Sequence, residues 1–176
     1  MSFSNRGITS PAPTRGFTLI EIIVVIAIAA ILLAIAIPQF SKYAKKYSVE
    51  KEITEIYGDL VQQRFKSMNS GVPNGIRFDS KTEYTLFEFD DKNYNMVFDG
   101  TQEEKNPVQK SGLKFDLASP PAGTVVLFDR KGMAKNSNWG FGNFTVYINS
   151  PARYNCIAVS SNRIKMGVWD GSCKIK

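Results

Sequence analysis

The stretch that decides the fold is Arg15-Gly16-Phe17-Thr18-Leu19-Ile20-Glu21, followed without a break by Ile22 to Ile37, where every residue is Ile, Val, Leu or Ala. From Phe17 onwards about twenty residues are almost purely apolar. At about 1.5 Å per residue, a helix of that length crosses a bilayer core of roughly 30 Å. The pattern therefore predicts a transmembrane helix over residues 17–38.

Glu21 is the charged residue inside this predicted span. A carboxylate at such a depth costs about 3 kcal/mol on insertion scales unless it has a partner. One explanation is that Glu21 lies near the membrane surface, where its side chain reaches the headgroups and the positive end of the helix stabilises it. The other explanation is that a second molecule supplies the partner.

The position of the cleavage site relative to the apolar run distinguishes two kinds of N-terminal signal sequence. A secretory signal is cleaved after its apolar run, whereas here a polar leader ends at Gly16 and the apolar run begins at once. This arrangement resembles the type III signal of type IV prepilins and type II secretion pseudopilins, whose core Gly16-Phe17-Thr18-Leu19-Ile20-Glu21 matches residue for residue. The resemblance implies that prepilin peptidase cleaves between Gly16 and Phe17 and methylates the new amino terminus of Phe17. It also implies that Glu21 pairs with that terminal nitrogen of a neighbouring subunit during filament assembly.

The chain then divides into a cleaved cytoplasmic leader (1–16), a transmembrane half-helix (17–38), an amphipathic half-helix (39–68) and a globular β-rich domain (69–176). Pro38 predicts a kink, which marks either the membrane exit or a site of local unwinding in a filament. After it, charged residues that include Glu52 and Asp59 are predicted to face solvent. The apolar residues recur at spacings of three and four and predict one packed face: Phe40, Tyr43, Ala44, Tyr47, Ile53, Ile56, Tyr57, Leu60 and Val61.

Beyond residue 69 the pattern changes to short runs of aromatic and β-branched residues, separated by Gly, Pro, Asn and Asp, which predict strands. No helical pattern lies between them, so antiparallel pairing is expected. The polar stretches 99–112 and 131–143 are predicted to be connections. The fold class is α+β, a long helix packed on an antiparallel sheet domain as in pilins. The predicted strands are 76–78, 84–89, 95–98, 113–117, 124–128, 144–148, 154–159 and 163–169.

Composition excludes several functions. The chain has no histidine, the commonest general base and metal ligand, so we predict no enzyme activity, no metal and no cofactor. Its two cysteines, Cys156 and Cys173, predict one disulfide in a domain delivered beyond the inner membrane, in preference to a reactive thiol. The formal net charge is +6, and the stretch after residue 104 is markedly basic, which indicates either an acidic partner or a solvated surface.

Three segments of the C-terminal half, 125–132, 143–146 and 156–165, resemble the GspH/FimT group of minor pilins and pseudopilins. The last turn of that group usually reads Gly-Arg-x-Arg, and here the sequence is Asn162-Arg163-Ile164-Lys165. Asn tolerates the positive φ that a tight turn needs. FimT-type members implicated in DNA uptake use the basic residues of this motif, which implies double-stranded DNA as a candidate partner. The candidate DNA-binding residues are Arg153, Arg163, Lys165 and Lys174, together with Lys176; the alternative is an ordinary hairpin with solvated basic residues.

Three functions fit the sequence: a minor pilin or pseudopilin in the assembly or tip priming of a type IV pilus or type II secretion pseudopilus, a pilus-associated DNA receptor, and a major filament subunit. The first is favoured because it needs only Gly16, Phe17, Glu21 and the apolar helix. The expected partners are the inner membrane, prepilin peptidase and other pilins. The expected location is the bacterial inner membrane, as a single-pass protein with a periplasmic C-terminal domain, and afterwards the pilus or pseudopilus.

Overall fold

The computed structural model describes residues 16–92, 97–100, 103–136 and 143–175. In these residues one helix, α1, spans Leu19–Ser70, and ten strands follow it. The chain divides into two compact units, Met1–Ser41 and Lys42–Lys176. The strands are β1 (Asn74–Phe78), β2 (Glu83–Phe89), β3 (Glu104–Ser111), β4 (Leu117–Ser119), β5 (Thr124–Phe128), β6 (Ala134–Asn136), β7 (Phe144–Ile148), β8 (Cys156–Val159), β9 (Ile164–Trp169) and β10 (Cys173–Ile175).

The first unit contains the apolar part of α1. This part is long and apolar enough to cross a membrane, and no residue in its most apolar stretch is buried. Every side chain from Leu19 to Ser41 is exposed. A helix that is apolar all round and has no protein packed on it is typical of a membrane span.

The second unit is built around the rest of α1. Val49, Ile53, Ile56 and Leu60, spaced by four, three and four residues, are completely buried. They form one hydrophobic core with inward-facing residues of both sheets, among them Phe78 on β1, Phe128 on β5 and Ile157 on β8. The α+β fold predicted from the sequence is confirmed.

The strands form two sheets in which all neighbours are antiparallel. The first sheet has the order β3-β2-β1-β5-β6, and the second has the order β10-β9-β8-β7-β4. The two sheets meet at the turn between β8 and β9, where the backbone N–H of Ala134 donates to the carbonyl of Ser161 at 2.7 Å. The first sheet also buries part of its other face, where Phe87, Phe89, Val125 and Leu127 form a second cluster.

The predicted faces of the amphipathic half-helix need correction. Tyr43 and Tyr47, predicted to pack on the domain, are 69 and 63% exposed. Glu52 and Asp59, predicted to face solvent, are buried. The Glu52 carboxylate accepts the backbone N–H groups of residues 114 and 115 at 2.8 and 3.3 Å, and Asp59 Oδ2 accepts the hydroxyl of Tyr84 at 2.8 Å. These hydrogen bonds offset the cost of burying the two carboxylates.

The stretch 99–112, predicted as a connection, contains the edge strand β3. It pairs with β2 through a register shift between Leu86 and Glu88. A prediction based on apolar runs missed this strand because it is polar, contains Pro107 and has a positive φ at Asn106. An edge strand tolerates such residues because one of its sides faces solvent.

The other predicted strands had mixed outcomes. The predictions 124–128 and 144–148 coincide with β5 and β7, and four more overlap β1, β2, β8 and β9. The run 113–117 is a loop up to the first residue of β4. Of the run 95–98, residues 97 and 98 lie outside any strand, and residues 95 and 96 lie outside the described part of the chain. The short strands β6 and β10 were not predicted.

Candidate functional site

The predicted cleavage site lies just before α1. Gly16, Phe17 and Thr18 have no regular secondary structure, and the Phe17 side chain is 80% exposed. Thr18 caps the helix, since its hydroxyl accepts the backbone N–H of Glu21 at 3.3 Å and its carbonyl accepts that of Ile22 at 3.3 Å. The predicted cleavage bond therefore lies in an exposed segment without regular secondary structure, which is followed at once by a capped helix.

Glu21 lies in the first turn of α1 with its side chain exposed. Among the described residues its carboxylate has no ion-pair partner. The helix N-terminus provides only a partial positive charge, worth about 0.3 to 1 kcal/mol. In a membrane, a carboxylate at this position needs either a partner or access to the headgroup region.

Pro38 lies inside α1, and the helix continues through it. Nearby, the Ser41 hydroxyl donates to the carbonyl of Ile37 at 3.3 Å. The kink or local unwinding at Pro38 stays a prediction.

Two of the candidate DNA-binding residues lie together on the second sheet. Lys165 on β9 pairs across the sheet with Ala158 on β8, which pairs with Thr145 on β7. These three positions form one row across the sheet, and Arg163 precedes Lys165 by two residues, in the turn before β9. Lys165 and Arg163 are both exposed and line a groove of about 270 Å³, and none of the described residues that line it is acidic.

The turn that carries Arg163 differs from the expected one. Asn162 tolerates a positive φ but does not adopt one here. The turn is closed instead by Ser160, whose backbone N–H and hydroxyl donate to the carbonyl of Arg163 at 2.8 and 3.1 Å.

The other candidate basic residues lie elsewhere. Lys174 on the edge strand β10 donates to Asp170 at 2.5 Å, and this hydrogen bond holds the pKa of the Asp170 carboxyl below its usual value. Arg153 lies in the loop between β7 and β8, beside α1, and does not line the groove of Arg163 and Lys165. Lys176 lies outside the described residues. The structure therefore groups two of the basic residues and separates the others.

The predicted disulfide is present between Cys156 and Cys173, which lie 17 residues apart in the chain. It joins β8 to the edge strand β10 across β9. The disulfide thus fastens the last strand to the sheet that carries Arg163 and Lys165.

Sequence reasoning missed a charged cluster on the first sheet. Arg77 on β1 donates to Asp79 at 2.6 Å and also to Glu104 on β3. Burial raises the pKa of Glu104, and the opposing charge of Arg77 does not fully reverse this effect. Burial lowers the pKa of Arg77, but the two carboxylates outweigh it, so this pKa is raised overall. The cluster ties the edge strand to the centre of the sheet, and no sequence motif marks it.

Comparisons with known proteins show similarity at the N-terminus and beyond it. Residues 12–37 match the prokaryotic N-terminal methylation motif. A fimbrial protein of Pseudomonas aeruginosa is 32% identical over 127 residues, which cover 66% of this chain and 79% of that protein. The type IV major fimbrial protein FimA of Dichelobacter nodosus is 49% identical over 41 residues, 23% of this chain and 26% of that protein. No solved structure matches the chain.

Proposed function

Because the chain belongs to the type IV pilin family, we propose that it is a minor pilin or pseudopilin, cleaved and N-methylated by prepilin peptidase, that takes part in assembly or tip priming of a filament. The observation that carries this proposal is the sequence Gly16 to Glu21 placed at the start of an exposed apolar helix. Cleavage after Gly16 leaves Phe17 as the amino terminus. The filament is a type IV pilus or the pseudopilus of a type II secretion system.

The proposed order of events follows from the segments of the chain. The leader, residues 1–16, is on the cytoplasmic side, and residues 17–38 cross the inner membrane. Residues 39–68 continue the helix, and residues 69–176 form the periplasmic domain. After cleavage the subunit leaves the bilayer sideways into the growing filament, where apolar helices of other pilins replace the lipid around its own helix.

The pairing of Glu21 with Phe17 has a physical reason. A carboxylate and an ammonium group each cost several kcal/mol when they are buried alone in a low-dielectric medium. Because the Glu21 carboxylate has no ion-pair partner among the described residues, it is proposed to meet the terminal nitrogen of the next subunit. The pair makes burial of both charges tolerable only in the correct axial register between subunits, and so it selects that register.

The test of this role is the variant Glu21→Ala, with Glu21→Asp as the matched control that retains the charge. Glu21→Ala is expected to insert in the membrane and to be cleaved, yet to be reduced at least tenfold in sheared filaments or in complexes with partner pilins. Glu21→Asp is expected to retain part of the incorporation. Undiminished incorporation of Glu21→Ala would refute the assembly role.

Cleavage is tested separately at Gly16. A bulky substitution such as Gly16→Leu is expected to leave the leader attached, which is read as a larger mass of the membrane-bound protein. The control is Gly58→Leu, a change of the same size at an exposed helix position where an added Cβ meets no atom within 4 Å. Normal cleavage of Gly16→Leu would contradict the proposed site.

A second candidate is a major filament subunit. It is favoured by the similarity to the P. aeruginosa fimbrial protein, which extends over 127 residues and thus well beyond the apolar helix. Counting subunits in sheared filaments by mass spectrometry distinguishes the two roles. A protein that makes up most of the filament mass is a major subunit, and one present at a few copies per filament is minor.

A third candidate is a DNA receptor of the FimT type, which is favoured by the groove that Arg163 and Lys165 share. The test is a salt titration of DNA binding by the processed protein in neutral detergent. The double variant Arg163→Gln, Lys165→Gln is expected to weaken binding and to reduce the salt slope by about two, since each phosphate contact contributes about one. The control with equal charge is Arg153→Gln, Lys174→Gln. Equal binding by both double variants would refute this site.

A further inference from the structure

A second groove, of about 800 Å³, lies in the Lys42–Lys176 unit between the start of its helical part and one end of the second sheet. Tyr43, Lys46 and Tyr47 line it from α1, Arg153 lines it from the loop between β7 and β8, and Trp169 lines it from the end of β9. We call it the aromatic-basic groove. It brings together residues from three separate parts of the chain, and all of them lie outside the matched motif of residues 12–37.

The aromatic side chains of this groove are presented to the surroundings and are not part of the core. Tyr43 and Tyr47, one turn apart on α1, are 69 and 63% exposed. The ring of Trp169 is partly exposed and stacks on Tyr147, with ring centroids 3.8 Å apart and planes 6° apart. Exposed tyrosine and tryptophan rings suit a partner that is apolar on one side and polar on the other.

The groove carries a net positive charge. Of its two carboxylates, Asp170 is paired with Lys174 at 2.5 Å, whereas Glu50 keeps its charge and accepts the backbone N–H of Arg153 at 2.6 Å, so that the cations Lys46 and Arg153 outnumber the one uncompensated carboxylate. Lys46 is exposed and has no ion-pair partner among the described residues. The Arg153 guanidinium lies 5.5 Å above the ring of Tyr154, which holds it without neutralising its charge. Two cations thus flank exposed aromatic rings, an arrangement that complements an anionic phosphate.

The position of the groove in the chain indicates where that phosphate comes from. Lys42, Lys45 and Lys46 follow the last residue of the apolar run, Ile37, within ten residues, and all three are exposed. Tyrosine, tryptophan and lysine directly beyond a membrane span are typical of the headgroup region of a bilayer. Each lysine or arginine near an anionic surface contributes about 1 kcal/mol of attraction.

We propose that the aromatic-basic groove binds the headgroups of anionic phospholipids and docks the domain on the membrane surface before the subunit enters a filament. This inference rests on the membrane anchoring in the proposed function. Leaving the bilayer for a filament then requires the release of these headgroup contacts. The groove therefore favours the membrane-bound subunit over the assembled one.

The test uses the processed full-length protein in nanodiscs with one copy per disc, made either of phosphatidylcholine alone or with 30% phosphatidylglycerol. Hydrogen–deuterium exchange is followed for the backbone of residues 151–154, in the loop that carries Arg153. We expect exchange at least threefold slower in the anionic discs. The difference should vanish at 1 M NaCl, where the Debye length is about 3 Å.

Two double variants with equal loss of charge identify the residues responsible. Lys46→Gln, Arg153→Gln is expected to abolish the slowing, and Arg163→Gln, Lys165→Gln is expected to retain it. Exchange of the buried β8 amides, such as that of Ile157, reports whether each variant stays folded. Because both changes replace exposed side chains, we expect no effect on β8.

Several results would overturn the inference. One is equal exchange in the two lipids, and another is slowing that persists in Lys46→Gln, Arg153→Gln. Slowing in neutral discs on addition of free phosphate would identify a soluble anion as the ligand, and slowing only in discs that hold two copies would identify a second subunit. A chain that does not insert in either disc would refute the membrane anchoring itself, and the inference with it.

Discussion

Replacing Tyr84 by Phe tests the contact that fastens α1 to the first sheet. The Tyr84 ring is 1% exposed, and its hydroxyl donates to Asp59 Oδ2 on α1 at 2.8 Å. Phe retains the packing of the ring against Phe78, whose centroid lies 6.1 Å away, and removes only the hydroxyl. The measured difference therefore reports the hydrogen bond.

The expected cost at pH 7 is about 2 kcal/mol. A hydrogen bond to a charged acceptor contributes about 1.5 to 3 kcal/mol. The full penalty of an unpaired buried carboxylate is not expected, because Lys110 Nζ stays 3.9 Å from the same oxygen of Asp59.

The same pair gives a pH dependence with a definite sign. Burial, followed by the hydrogen bond to Asp59 and the charges of Asp59 and Glu55, raises the pKa of Tyr84 far above its usual value of 10.0. The unfolded chain loses this proton near pH 10 and the folded protein keeps it. The stabilisation is therefore complete below about pH 10 and declines by about 1.4 kcal/mol per pH unit above it. The difference between wild type and Tyr84→Phe should shrink from about 2 kcal/mol at pH 7 to about 0.6 at pH 11.

The assay is urea unfolding of the processed protein in neutral detergent, followed by near-ultraviolet circular dichroism at pH 7 and pH 11. Tyr43→Phe is the matched control, because that side chain lies at the surface, and it should stay within about 0.5 kcal/mol of wild type at pH 7. Equal free energies of unfolding for Tyr84→Phe and wild type at pH 7 would refute the reasoning. So would a difference that is the same at both pH values.

Four further changes have expected outcomes in the same assay. Glu52→Gln should lower the free energy of unfolding by about 2 kcal/mol and speed amide exchange in the loop that its carboxylate holds, and unchanged exchange would contradict that role. Replacing both Cys156 and Cys173 by Ser should cost about 3 kcal/mol in the chain-entropy picture, and no loss on reduction would contradict it. Gly75→Ala should lower the free energy of unfolding by about 1 to 3 kcal/mol, because its Cβ would lie 2.7 Å from a Leu side chain of β5. Gly58→Ala, at an open helix position, should instead raise it by about 0.5 to 1 kcal/mol. If Gly75→Ala were the more stable of the two variants, the close contact at Gly75 would be refuted.

The buried carboxylates illustrate a limit of sequence periodicity. Charged residues at 52 and 59 were predicted to lie on the solvent side of the helix, yet both face the domain. Their partners are backbone groups of the loop before β4 and a tyrosine of β2, which follow in the chain by 25 residues or more. Periodicity indicates which residues share a helix face, but it does not show what polar groups the rest of the chain brings to that face.

The basic surface shows the same limit. A concentration of Lys and Arg in the second half of the domain is visible in the sequence. Its division into a groove with Arg163 and Lys165, an ion pair at Lys174 and a separate groove at Arg153 depends on strand order and register. Charge counts along a chain do not contain that information.

The sequence by itself determined the apolar helix, the α+β class and the disulfide partners. These features follow from local composition, from the fixed rise of a helix set against the thickness of a bilayer, and from the presence of two cysteines. Only the tertiary structure decided the strand β3, the buried positions of Glu52 and Asp59, and the aromatic-basic groove. Each of these depends on contacts between residues far apart in the chain. Such contacts form, and stabilise the fold, only once the two sheets and the helix have come together.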